Sequence, residues 1–351
     1  MIVDPTVLPP GQVEIDGQEG RSGLTAPAAS GLDLNLDAAF ELLYGERPTG
    51  VERARLHELV GLDRVNTLSA LRTIVMGHDR QSRPTRALIR FSHEDVRWLD
   101  VEGFRLALDA ADLSVSAPML AQHAWEPHLT SVFRRYVRPG MRVADIGANV
   151  GYYTMLAAQL VTSEGEVFAF EPNSENCRLT LMSVAENGWS NVRLFPLALA
   201  ETTGLAYFSS HIGSNGGLMP ADSALATGHG LIVPTARLDS LVDPPLDFIK
   251  MDVEGAEFRV LRGAQSLISA ARPVITTEFS CEMIARVSKR APRDVLGFFE
   301  QYGYSVHLIH KPSGRLDAVP DIDALLRDWG DLGRIEDLLM LPRGIPVRQP
   351  E

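Results

Sequence analysis

The chain has 351 residues, 45% of them apolar and 7% aromatic, which is the composition of an ordinary globular protein and excludes a small disulfide-stapled scaffold. With 33 Lys and Arg against 45 Asp and Glu the formal net charge is −12, a field that repels phosphate backbones and anionic bilayers, so no nucleic acid and no membrane is expected as a partner. Cys177 and Cys281 lie far apart and form no C-x-x-C pair, so neither a zinc site nor an exported disulfide framework is indicated.

The amino terminus, MIVDPTVLPPGQ, lacks a basic start followed by an apolar stretch, and no apolar run approaches the ~20 residues of a membrane span. A cytoplasmic chain is expected. Residues 1–31 are rich in Pro, Gly and small polar residues without a helical or strand period, which predicts a flexible leader. From Leu34 the apolar residues recur at three- and four-residue spacing (Leu36, Ala39, Phe40, Leu43; Leu56, Leu59, Val60; Leu68, Leu71, Ile74, Val75). That spacing predicts a small helical module over 32–78, broken at Pro48, Gly50 and Gly61. Residues 79–120 are mixed in period and read as a connector.

Over 121–351 strand-like apolar runs alternate with helical segments, the pattern of a mostly parallel α/β sheet covered on both faces. The runs are Arg142–Ile146, Val167–Glu171, Val192–Leu197, Leu246–Asp252, Pro273–Phe279 and Tyr304–His310. Helices are predicted at about 150–161, 174–187, 255–270 and 292–302. A last apolar run, Leu338–Leu341, could add an edge strand. Residues 209–230 form a long glycine-rich connection, read as a flap over an acceptor site with Ser214, Asn215 and Gly216 nearest the chemistry.

The chemistry centres on V-A-D-I-G-A-N-V-G-Y-Y-T at 143–154, a strand that ends in a glycine turn and runs into a helix. Gly147 and Gly151 let a ligand approach the backbone, and the helix start would present free amides. A dinucleotide fingerprint wants a third glycine, absent here, and Asp145 ahead of the turn favours a cationic ligand over a pyrophosphate. The next strand ends in F-A-F-E-P, placing Glu171 where a doubly wound sheet binds ribose hydroxyls. S-adenosylmethionine has a ribose, an adenine and a sulfonium, and no phosphate.

Together with F-A-F-E-P-N, T-A-R-L-D-S-L at 235–241 and D-F-I-K-M-D-V-E-G-A-E at 247–257, this segment resembles the FkbM-type methyltransferases over about residues 126–312. The resemblance implies a class I methyltransferase (Rossmann-like) α/β fold with strand order 3-2-1-4-5-7-6, strand 7 antiparallel, and S-adenosyl-L-methionine as cofactor. It implies a small-molecule or glycan acceptor, methylated mostly on hydroxyls. The helical module looks like an accessory segment of bacterial proteins that handle glycans. Carried over by position, Asp145, Gly147, Ala148, Asn149, Gly151 and Tyr152 would surround the methionyl part of the cofactor. Glu171, Pro172 and Asn173 would face the ribose, Leu197 and Ala198 the adenine, and Asp252 the cleft between donor and acceptor.

An alcohol acceptor must lose a proton as the new bond forms. The candidate acids and bases are Asp252, Lys250, Glu254 and Glu278, with Glu257, His211, His229 and His310 as looser candidates. Glu257 reads equally well as a helix-start acid favoured by the helix dipole. Lys250 stands in a strand otherwise apolar enough to be buried, so it should pair with Asp145, Glu278 or Asp252. No metal is expected, because no His or second Asp completes a cage. N-methylation of an amide in a modified peptide, and a non-catalytic module that binds the cofactor, are the alternative functions. A homo-oligomer is left open.

Overall fold

The computed structural model describes residues 96–110, 112, 114–212, 215–219, 230–329 and 333–350. The chain divides into a unit of residues 1–88 and a unit of residues 89–351. The expected leader, helical module and first part of the connector therefore lie outside the described residues, as do Ser214 and His229.

The second unit is built on an eight-stranded sheet. Its parallel part comprises β3 (Arg142–Ile146), β4 (Glu166–Phe170), β5 (Val192–Phe195), β10 (Phe248–Met251), β11 (Val274–Phe279) and β12 (Tyr304–His310), and β13 (Arg315–Val319) and β14 (Glu336–Pro342) complete it. The spatial order is β13-β12-β14-β11-β10-β3-β4-β5, with β14 antiparallel to both neighbours. Read from β5 to β12, this is the seven-strand order expected of a class I methyltransferase fold, with β13 added at the edge beside β12. The run expected at an edge, Leu338–Leu341, instead lies in the interior, and Leu338, Leu339 and Met340 are fully buried. An apolar run reports burial on both faces, which only an interior position supplies.

Side chains alternate along each strand, so each contributes to two cores. Val143 and Phe248 pack on one face against α2 (Pro127–Tyr136) and α3 (Tyr152–Val161), with α4 (Ser174–Glu186) beside them. Ala144, Ile146, Ile249 and Met251 pack on the other face, against α5 (Glu257–Gly263), α6 (Gln265–Ala271) and α8 (Pro292–Gln301). Asp145 and Lys250 follow the same alternation. They are register partners on β3 and β10, both on the α3 side.

Two expectations change. Residues 96–109 are no connector but a hairpin of β1 (Val96–Val101) and β2 (Phe104–Asp109). Leu106 and Leu108 are fully buried, the amide of Ala107 donates to Ser183 Oγ on α4 at 2.9 Å, and Phe104 meets Tyr152 edge-on at 5.8 Å. The catalytic domain thus includes Val96 onward rather than beginning at residue 121. Arg97, Asp100 and Arg105 hid the hairpin by interrupting short apolar runs.

In the glycine-rich connection, the described residues 209–212 and 215–219 are strand. β7 (Gly204–Ile212) and β8 (Asn215–Met219) form an antiparallel pair, joined by β9 (Leu231–Ala236) and β6 (Ala198–Leu199) in a second sheet of order β6-β9-β7-β8. Phe208, Leu218 and Val233 form a small core with Ala198, Ala256 and Val287, so the roof of the cleft is pinned at one end.

Candidate active site

The carboxyl ends of β3, β4, β10 and β11 open into one cleft where the order of the parallel strands reverses, the place open α/β sheets bind ligands. β3 and β10 are pulled tightly together there. Asp252 donates its amide to the Ile146 carbonyl at 3.0 Å, and a Cβ on Gly147 would sit 1.8 Å from the Asp252 carbonyl oxygen. Only glycine fits, and its φ of +78° agrees.

The free amides expected here belong to the helix start, α3 from Tyr152, which has no side-chain cap, and not to the glycine turn before it. Gly147 and Ala148 donate to the Phe170 carbonyl at 3.0 and 3.1 Å, and Asn149 donates to Glu171 Oε2 at 2.8 Å. Val150 donates to the Asn149 side chain at 2.8 Å and Gly151 to the Ala148 carbonyl at 2.9 Å. Every amide from 147 to 151 is thus satisfied within the loop. The turn itself leaves no row of donors for a pyrophosphate.

Glu171 is 4% exposed and clamps two loops, since its other oxygen accepts from the Asn173 amide at 2.8 Å. Burial lifts its carboxyl to about 7, against the pull of the Asn173 and Asn149 amides. The Asn176 side chain bonds it as well, which leaves one lone pair of the carboxylate open, and the residue lines the cleft. Beside it, Phe170, Leu197, Ala198 and Leu199 form an apolar wall.

Of the residues expected around a cofactor, Gly147, Ala148, Asn149, Tyr152, Glu171, Pro172, Leu197, Ala198 and Asp252 line the cleft. Asp145, Gly151 and Asn173 are not among its lining residues. Asp145 is fully buried under the floor, where Thr154 donates to its Oδ2 at 2.6 Å. The strand alternation that turns it toward α3 keeps it from flanking a pocket with Glu171. A Cβ on Gly151 would press 2.7 Å from Thr180 Oγ1, so this glycine serves helix packing. Asn173 caps α4 by accepting from the Glu175 amide at 3.0 Å.

In the other half of the cleft Lys250 lies 3.3 Å from Asp252 Oδ2 and 3.6 Å from Asp145 Oδ1. Its ammonium donates to the Gly147 carbonyl at 3.0 Å and sits 5.3 Å from the centre of the Tyr153 ring. Burial alone would lower its pKa, but Asp252, Asp145 and Glu126 outweigh it and hold the ammonium charged. Glu278, the third expected partner, is not paired with it.

Oxygens of Asp252, Glu254 and Glu278 lie within 4.8 Å of one another, a spacing that hydroxyl groups of an acceptor or one oxygen-liganded cation could share. Burial, then Asp252 and Glu254, raise the Glu278 carboxyl well above its ordinary range. Glu257 is buried away from the cleft, accepts the Gly255 amide at 3.1 Å and is lifted by burial to about 7. Its place at the start of α5 fits the structural reading of that residue. His310 is exposed at the end of β12, outside the cleft.

Sequence reasoning missed Met119, Trp125, Glu126 and Tyr153, all lining the cleft. Tyr153 donates its hydroxyl to Glu126 Oε2 at 2.8 Å. The one local signal was Glu126 directly before Pro127, where proline disfavours helix for the residue ahead of it.

Residues 145–306 match the methyltransferase FkbM domain. These residues are a FkbM methyltransferase domain. The hexuronic acid methyltransferase AglP of Haloferax volcanii is 30% identical over 139 residues, 37% of this chain and 53% of the relative, so the chain spans about half the length of that protein. Among solved structures, an FkbM methyltransferase of Methylobacillus flagellatus KT superposes with a TM-score of 0.36 at 18% identity, covering 60% of this chain and 50% of that one. A SAM-dependent O-methyltransferase of Thermotoga maritima gives 0.36 at 14%, covering 66% and 71%.

Proposed function

We propose that the chain transfers a methyl group from S-adenosylmethionine to a hydroxyl of a neutral glycan or secondary metabolite. The observation that carries this reading is the glycine turn whose amides are all internally bonded. That turn suits a nucleoside without phosphate. Glu171 has one lone pair left for a ribose hydroxyl, and Phe170, Leu197, Ala198 and Leu199 supply an apolar wall for the adenine. When bound, the cofactor supplies an electrophilic methyl on a cationic sulfur. The acidic half of the cleft favours that positive charge, while Lys250 neutralises Asp145 and Asp252 beneath it.

The protein's work is then to hold a hydroxyl in line with the methyl and to keep water out. Asp252, Glu254 and Glu278 would accept hydrogen bonds from the acceptor's other hydroxyls or, where protonated, donate them. AglP, by its name, handles a hexuronic acid, which makes a sugar the first acceptor to try. A uronate carboxylate would nevertheless enter beside Glu126, Asp252, Glu254 and Glu278, with the one cleft lysine already shared by two aspartates. A neutral sugar is the better electrostatic match.

Calorimetry of S-adenosylmethionine binding tests the donor site. Incubation with methyl-labelled donor plus methyl β-D-glucoside or methyl β-D-glucuronoside tests the transfer. S-adenosylhomocysteine and an O-methyl product, favouring the glucoside, are expected. Binding without S-adenosylhomocysteine would instead make the chain a cofactor-binding module, and absence of binding would overturn the reading.

A further inference from the structure

The acceptor half of the cleft holds four carboxylates, and three are poorly placed to take a proton. Asp252 is held by Lys250 at 3.3 Å. Glu278 is raised well above its ordinary range by burial and then by Asp252 and Glu254, and so holds its proton more tightly than an ordinary carboxyl. Glu254 stands in a left-handed turn at φ +52°, its stem directly under Gly217 of β8, where a Cβ would come within 3.1 Å. The fourth is Glu126.

Its backbone is left-handed too, with φ +38° and ψ 67°, a conformation that costs a non-glycine residue about 1 kcal/mol and that recurs at functional sites. The cause is local: Pro127 opens α2, and Glu126 caps it while its carbonyl accepts the amides of Leu129 and Thr130. This turn aims the side chain into the cleft instead of along the helix. Tyr153 fixes one carboxylate oxygen, and among the described residues no hydrogen-bond donor or cation holds the other.

Resting on the methyltransferase reading, we propose that Glu126 is the general base of the reaction, positioned by Tyr153. The acceptor oxygen bonds to the methyl carbon as its own proton passes to a Glu126 oxygen. The methyl carbon–sulfur bond breaks, and its electron pair stays on sulfur as a neutral thioether. The charged and titratable groups around Glu126 are Tyr153 and Tyr152 on α3, Lys250 and Asp252 at β10, Glu278 on β11 and Asp337 on β14, the last held by His128 at 2.8 Å and Lys311 at 3.2 Å. Burial first, then Asp337 and Asp252, lift Glu126 to about 7, against the Tyr153 hydrogen bond and Lys250. A base poised there is half-ionised at neutral pH.

Infrared difference spectra of the full chain with bound S-adenosylmethionine test this without an acceptor. The protonated-carboxyl band that Glu126→Gln removes should titrate near pH 7, and Tyr153→Phe should move it upward, because a hydrogen bond that favours the ionised form is lost. With methyl β-D-glucoside as acceptor, kcat should rise with pH through the same midpoint. Glu126→Gln should lower it about 100-fold and flatten that rise, with the donor Kd within threefold of wild type. A band titrating near the ordinary 4.5, or a Glu126→Gln variant that keeps kcat and its pH profile, would overturn the proposal. Failure of the wild-type chain to bind S-adenosylmethionine would overturn the proposed function instead, a separate and recognisable result.

Discussion

The two halves of the cleft solve opposite problems. In the donor half every amide from 147 to 151 has an acceptor and Glu171 holds one amide with each oxygen, so the surface is set before any ligand arrives. In the acceptor half one ammonium serves carboxylates from several elements, and two of the acids there, Glu126 and Glu278, are raised by burial and mutual repulsion. A local loop can be preorganised by its own backbone. A crowd of charges drawn from distant elements stays poised, and a ligand or a proton decides its state.

Lys250 links the two halves, and its removal should have the largest effect. Lys250→Met leaves Asp145 and Asp252 without their cation, and breaking a buried pair from one side costs about 3–5 kcal/mol. Urea unfolding at pH 7 should show that loss. An unchanged midpoint would make Lys250 a spectator. If the variant folds, lost turnover with retained donor binding would assign the ammonium to the reacting half.

Glu171→Ala comes next. It removes the acceptor for the Asn149 and Asn173 amides as well as the ribose contact, so donor affinity should fall by about 2 kcal/mol or more, roughly thirtyfold. Glu171→Gln should not rescue it fully, since an amide has one acceptor oxygen for two inward-pointing N–H groups. Calorimetric affinity equal to wild type in either variant would detach Glu171 from the donor site.

The buried acids also predict how stability depends on pH. Glu171 and Glu257 are each raised from 4.5 to about 7, so the folded state holds protons the unfolded chain has released. Their contribution is complete below about pH 4.5 and is lost as pH rises through about 7, at roughly 3 kcal/mol per group. Asp337 works the other way: burial would raise it, but His128 and Lys311 win and lower it. The ligand-free chain should therefore melt at a higher temperature at pH 5 than at pH 8. A flat or rising profile across that window would contradict the burial of both glutamates.

The smallest effect belongs to the acceptor carboxylates. Glu254→Gln or Glu278→Gln should raise the KM for methyl β-D-glucoside several-fold while the donor Kd moves less than threefold, roughly 0.6 kcal/mol. Equal shifts in both constants would erase the division of the cleft into halves. A chelator should leave turnover unchanged, and magnesium-dependent turnover would reassign the trio of Asp252, Glu254 and Glu278 to a cation.

Much of the donor half was legible in the chain because its determinants are local. Gly147, Ala148, Asn149 and Glu171 sit in contiguous motifs whose strand-turn-helix geometry follows from residue type. Burial of Lys250 next to Asp145 followed from strand alternation and the expected strand order, and the 3.6 Å separation agrees. The reading went astray where it treated those motifs as if every polar group in them faced the ligand. Asp145 turns under the floor, and Asn173 caps a helix.

By itself the sequence determined the alternation of strands and helices from residue 142 on, the order of the main sheet through the family likeness, and the donor-binding turn. Periodicity and glycine placement are short-range properties, and they survive in one dimension. Tertiary structure alone decided that Leu338–Leu341 is interior, that the hairpin over 96–109 belongs to the catalytic core, and that residues 204–212 and 215–219 form a strand-built roof. It also decided that Glu126 meets Tyr153 beside Asp252 and Glu278. Those residues come from different elements and share a cleft only after the sheet has closed, so no spacing in the chain could announce them.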